Sequence, residues 1–103
     1  MHSSPTQTPD RWLIIDCGGD GLYKVFATWS GGYLDGDSWR LNSGIEKVEG
    51  DGDYLLFHGY SGSIYKCHKD RYGTTGYGAH VIYSLELEVI NDLKQYMEDA
   101  PKS

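Results

Sequence analysis

The chain has 103 residues, with 15 Asp and Glu against 9 Lys and Arg, for a formal net charge of −6. That length fits one domain with a small core and excludes an activity that needs two lobes of the same chain to close on a ligand. The acidic balance disfavours nucleic-acid backbones and anionic membranes as direct partners and favours basic proteins or nucleoprotein complexes.

The opening "MHSSPTQTPD" carries no apolar signal core, and no apolar run reaches the ~20 residues of a membrane helix. Residues 1–10 therefore read as a flexible polar lead, 11–99 as a single domain and 100–103 as a tail. With no export signal, Cys17 and Cys67 are expected as free thiols in a reducing cytoplasm.

Strand and turn signals follow one another from Arg11 to about Lys69. Trp12 to Asp16 is the first strand. Leu22 to Trp29 is the second, ended by Ser30-Gly31-Gly32. A short third strand surrounds Trp39 and Leu41, and Ile45 and Val48 alternate with charge in the fourth. "EGDGDY" is the strongest hairpin signal, because Asp-Gly supplies the positive φ that a two-residue turn requires. "YLLFHG" and "SIYKCHK" make the fifth and sixth strands.

"RYGTTGYG", residues 71–78, is too rich in glycine for a regular element. Beyond it Ile82, Leu85, Val89, Leu93 and Tyr96 recur at helical spacing, which predicts one amphipathic helix from about Ala79 to Glu98. A competing strand pattern is present in Leu85, Leu87 and Val89, which alternate with Glu86 and Glu88. The expected fold is α+β: a curved antiparallel sheet of about six short strands, in one variant a half-open barrel, packed by that helix.

Chemistry-bearing motifs are weighed against turn chemistry. "IIDCGGDGLYK" resembles the first phosphate loop of the actin and sugar-kinase superfamily, with Asp16, Gly18, Gly19 and Lys24 at the matching positions. That resemblance implies a metal-organising Asp and phosphate-holding amides. Here Asp20 puts a carboxylate where phosphate would lie, and the second lobe is absent, so a strand–turn–strand unit is expected.

The pairs Asp35/Asp37 and Asp51/Asp53 lack the twelve-residue ligand pattern of a calcium loop. Cys17, His58, Cys67 and His68 lack zinc-ligand spacing. No nucleophile has a visible base and orienting group, so neither an enzyme nor a cofactor or metal is expected. "KCHKDRYGTTGYG", residues 66–78, is the one basic and aromatic segment; three cations in a chain of net charge −6 are a weak footprint for single-stranded nucleic acid.

"SGIEKVEGDGDYLLFHGYSGSIYKC", residues 43–67, resembles a hairpin cassette of small bacterial and phage-borne proteins, which speaks to fold. In size, charge and lack of catalytic residues the chain is similar in type to phage-encoded anti-CRISPR inhibitors. That resemblance implies a cytoplasmic protein that occludes the basic nucleic-acid-binding surface of a host defence complex. The expected partner surface is Asp35, Asp37, Glu46, Glu49, Asp51 and Asp53, with Tyr33, Tyr54 and Tyr60 as anchors. The alternative is a small ligand- or nucleotide-binding module using the Gly-rich loops 17–21 and 73–78.

Overall fold

The computed structural model describes residues 6–17, 22–29 and 38–99. The fold is α+β. Among the described residues there are eight strands: β1 (Thr6–Gln7), β2 (Arg11–Asp16), β3 (Tyr23–Trp29), β4 (Ser38–Leu41), β5 (Ile45–Asp51), β6 (Tyr54–Gly59), β7 (Ile64–His68) and β8 (Glu88–Val89). Two short helices complete it, α1 (Gly76–Ser84) and α2 (Leu93–Asp99), with a 3₁₀ turn at Lys69–Arg71. None of these helices is long and apolar enough to cross a membrane.

The strands form two four-stranded sheets, ordered β1-β7-β6-β5 and β4-β3-β2-β8, rather than one curved sheet. β1 runs parallel to β7 and every other strand pairing is antiparallel. The alternation legible in β6 and β7 buries Leu55, Phe57, Tyr65 and Cys67. These meet Trp12, Ile14, Val25 and Ala27 of the second sheet, with Ile45, Val48 and Tyr96 of α2, in the main core.

β2 is different, because Trp12, Leu13, Ile14 and Ile15 are all buried. An unbroken apolar run of this kind belongs to a strand covered on both faces. Its second face, Leu13 and Ile15 with Phe26, packs against Val81 of α1 and against Ile82, Leu87 and Val89. The second sheet is thus the middle layer between the first sheet and α1. Close approach of α1 needs Gly78: a Cβ there would lie 2.9 Å from Thr28 Cγ2 and 1.9 Å from Thr74 Oγ1.

Trp12 fastens the layers together. It is fully buried, its indole N–H donates to the His68 carbonyl at 2.8 Å, and its ring meets Phe57 and Tyr72 at centroid distances of 5.1 and 4.8 Å. The Trp12 carbonyl accepts from Gly73 N at 2.8 Å. Asn42 makes a similar buried link, its Oδ1 accepting from Val25 N at 2.9 Å and Gly44 N at 3.3 Å as the chain leaves β4 for β5.

The single helix expected over 79–98 is divided. Leu85 N, Glu86 N and Leu87 N bond back to Val81, Tyr83 and Ile82, and Glu86 takes φ +54°. The chain then enters β8, pairing Val89 with Ile15 and Glu88 with Asp16. Buried β2 needs a backbone partner on its free edge, because unpaired buried amides are costly, and that need overrides the helical spacing. Leu85, placed on the expected apolar face, is 51% exposed. Part of the polar lead is also ordered, since Thr6 and Gln7 pair with Ile64 and Tyr65.

Tyr72 extends the β2–β8 ladder with its side chain. Its hydroxyl accepts from Ile14 N at 3.2 Å and donates to the Ile90 carbonyl. Tyr96, by contrast, buries a hydroxyl that has no partner among the described residues. Tyr72→Phe is therefore expected to cost about 1–3 kcal/mol by orphaning two backbone groups, while Tyr96→Phe is expected to be neutral or mildly stabilising. Urea unfolding of both variants checks the contrast.

Burial raises the pKa of Tyr65, Tyr72 and Tyr96, against a lowering by Arg40 at Tyr65 and by the Ile14 backbone bond at Tyr72. Above the ordinary tyrosine pKa of about 10 the unfolded chain releases protons that the folded chain retains. Stability is thus expected to be insensitive to these groups below that pH and to fall as pH rises beyond it, measured as an unfolding midpoint against pH.

Candidate functional site

The acids expected to face a partner lie along β5 and its turn into β6. Asp51 pairs with Tyr54, leaving Gly52 and Asp53 as a two-residue loop. Gly52 has φ +63° and Asp53 does not have a positive φ, the pattern of a type II′ turn. β5 is an edge strand of the first sheet, so its acids run along an open margin. Charge on such a margin also discourages strand-to-strand association.

The side chains fall into two groups. Glu49 and Asp51 share the outer face of the sheet with cations. His58 Nε2 donates to Glu49 Oε1 at 2.5 Å, and Lys66 Nζ lies 3.9 Å from Asp51 Oδ2. The same ammonium sits 4.7 Å from the Tyr54 ring centroid, and Tyr54 packs edge-on against His68 at 5.0 Å. Glu46 and Asp53 are exposed, with no ion pair to a described residue.

Tyr60 is 63% exposed at the β6–β7 turn, at the opposite end of β6 from Tyr54. Glu46 lies near that end, in the irregularity between Ile45 and Lys47. The expected surface is thus a strip along one sheet edge, with Glu46 and Tyr60 at one end and Asp51, Asp53 and Tyr54 at the other. Tyr33, Asp35 and Asp37 lie outside the described residues.

The nucleotide-binding alternative rests on the Gly-rich loops 17–21 and 73–78. Residues 18–21 fall outside the described residues. In 73–78 the Thr75 hydroxyl accepts from Gly78 N at 3.1 Å and its carbonyl accepts from Ala79 N at 2.9 Å. Those two amides at the start of α1 are already engaged within the chain. Cys67 is fully buried, and burial pushes its thiol pKa up, so the thiolate that would act as a nucleophile is disfavoured. Among the described residues no three His, Cys, Asp or Glu side chains come together as a metal site would.

The structure also brings together a group that the sequence order conceals. Thr8, Pro9 and Asp10, between β1 and β2, and Arg11, the first residue of β2, face Tyr54, His68 and Arg71 across a cleft of about 500 Å³. The Trp12–His68 bond and the pairing of Trp12 with Tyr72 put these segments side by side. Asp70 N donates to His68 Nδ1 at 3.1 Å, which places the neutral ring's proton on Nε2. Arg71 is visible in the sequence within the basic segment 66–78; its place on the same cleft as Arg11 depends on the bridge between Trp12 and Tyr72, about sixty positions apart in the chain.

A second concave region, about 480 Å³, lies between α1 and β8 and is lined by Leu13, Ile82, Tyr83 and Val89 among others. Comparison with known proteins finds no matching family model, no matching curated protein and no matching solved structure.

The two cysteines separate cleanly by exposure: Cys17 is exposed and Cys67 buried. Iodoacetamide is expected to modify Cys17 in the native protein and Cys67 only on unfolding, read by mass spectrometry of the intact chain. Equal labelling rates under native conditions would show that the core around Cys67 opens readily.

Proposed function

We propose that this protein works by binding, as an acidic occluding domain that docks a basic protein or nucleoprotein surface. What carries the reading is the course of Glu46, Glu49, Asp51 and Asp53 along the open edge of the first sheet and into the exposed β5–β6 turn. Such a strip presents carboxylates on a rigid backbone, spaced by the strand repeat. Opposite charge on a partner would steer encounter and fix orientation more than it would add to affinity. Tyr54 and Tyr60, near the two ends of the strip, supply aromatic contact area of the kind enriched at interfaces.

The ion pairs on the outer face refine the mode of binding. Glu49 and Asp51 already have cationic neighbours, so a partner must exchange with His58 and Lys66 or add to them. Glu46 and Asp53 offer charge without that exchange. The partner class suggested by the resemblance in type to anti-CRISPR inhibitors is a nucleic-acid-handling defence complex in the bacterial cytoplasm, with the carboxylates standing where nucleic-acid phosphates would lie.

The test removes the strip as a whole, because a single rim acid changes little. Replacing Glu46 and Glu49 by Gln, and Asp51 and Asp53 by Asn, is expected to slow association with the captured partner by roughly tenfold or more at low salt, with the thermal midpoint retained. The difference from the parent protein is expected to shrink at high salt. Capture from host extract that is as strong for the quadruple variant as for the parent would overturn the reading.

A further inference from the structure

The cleft between the β1–β2 connection and the end of β7 is cationic in a chain whose net charge is −6. Arg11, Arg71 and His68 line it, against one acid, Asp10. No ion pair joins either guanidinium to a described residue, whereas His58 and Lys66, on the sheet that also supplies Tyr54 and His68, pair with acids. Arginine stays charged at all physiological pH values, and its planar fork matches the oxygens of phosphate. Two such forks, with a ring N–H at His68 Nε2 and the Thr8 hydroxyl, are a donor set suited to a tetrahedral oxyanion.

The walls are held by bonds that do not involve those donors. Trp29 Nε1 donates to the Thr8 carbonyl at 3.0 Å and Asp10 N to the Thr28 carbonyl at 3.0 Å. On the opposite wall, Trp12 Nε1 holds the His68 carbonyl at 2.8 Å and Lys69 N bonds the Asp53 carbonyl at 2.9 Å. Gly73, whose N bonds the Trp12 carbonyl, brings its backbone beside the Arg11 guanidinium: a Cβ there would lie 3.8 Å from Nη1. A site framed by backbone bonds loses less on binding than one that must be ordered by its ligand. Its volume, about 500 Å³, lies within the range of small-molecule sites and exceeds what a bare phosphate fills. Tyr54 adds an aromatic surface for an organic group.

We propose that this cleft binds a small organic phosphomonoester, with Arg11 and Arg71 gripping the phosphate and Tyr54 flanking the organic part. The site adjoins the acidic strip at Tyr54 but draws its charge from other residues, and it takes a ligand of the opposite charge.

The test titrates the full chain with phenyl phosphate and with inorganic phosphate at constant ionic strength, followed by amide chemical shifts. Saturable shifts confined to residues 8–11, Tyr54 and 68–73 are expected, tighter for phenyl phosphate than for inorganic phosphate. Arg11→Gln with Arg71→Gln is expected to weaken phenyl phosphate binding about tenfold or more, since removing a charge-assisted hydrogen bond has an effect of that order.

Thermal unfolding of each variant controls for the fold. Arg71 is exposed, so Arg71→Gln alone carries the test if Arg11→Gln lowers stability. Non-saturating shifts spread over the surface lysines would overturn the proposal, as would unchanged affinity in the double variant. Binding of a 5′-phosphorylated oligonucleotide without binding of phenyl phosphate would also overturn it, because the polyanionic backbone would then be what is recognised.

Discussion

The bond from the Trp12 indole to the His68 carbonyl is the interaction on which the arrangement of layers depends. Trp12 belongs to the middle sheet and His68 ends a strand of the outer one, so one donor joins two layers. The donor is fully buried, and a buried indole N–H without an acceptor would cost about 1–3 kcal/mol. The ring around it is equally committed, wedged between Phe57 of the outer sheet and Tyr72 of the following loop. Moving the sheets apart would break the hydrogen bond and separate both aromatic pairs together, so this part of the packing is cooperative.

That anchorage explains why the segment after β7 is ordered: Lys69–Arg71 forms a 3₁₀ turn, and Gly76 to Gly78, expected from their glycine content to lie outside any regular element, open α1 behind the Thr75 cap. Tyr72 and Gly73 are held against Trp12, and the Tyr72 hydroxyl then stands between Ile14 and Ile90 in the β2–β8 ladder. The loop is thereby part of the sheet's hydrogen-bond system. A two-residue strand such as β8 is weak alone; the Tyr72 bridge and the Ile90 N bond to the Ile14 carbonyl at 2.9 Å lengthen its hold on β2.

The strands are largely legible in the sequence because their signals are local. Alternation in "YLLFHG" and "IYKCH" and the glycine next to Asp51 report a pleated sheet and a tight turn with no need of tertiary knowledge. The division of residues 79–98 is not legible, although both patterns are present in the sequence. Spacing at Ile82, Leu85 and Val89 fits a helix and alternation at Leu85, Leu87 and Val89 fits a strand; the unpaired edge of β2, distant in sequence, decides between them. The two-layer sheet is concealed for the same reason, since "WLII" shows a buried strand without showing what covers each face. At the acidic strip, β5 and its turn can be placed, but the pairing of Glu49 with His58 and Asp51 with Lys66 cannot, because it depends on register across three strands.

Register also sorts the charges into two environments. Along β5 to β7, opposite charges stand on one face within 4 Å, which limits the field that face projects. Such exposed pairs add little to stability, typically under about 1 kcal/mol. Their main effect is to leave Glu46 and Asp53 as the strip's uncompensated acids among the described residues, near opposite ends of the hairpin. At the cleft the balance reverses, and two arginines line it beside a single acid. A protein of net charge −6 with cations gathered at one cleft has a dipolar surface rather than a uniformly negative one. A partner or ligand would therefore be oriented by the field before contact, and the two charged regions, which adjoin at Tyr54, would select for opposite chemistries.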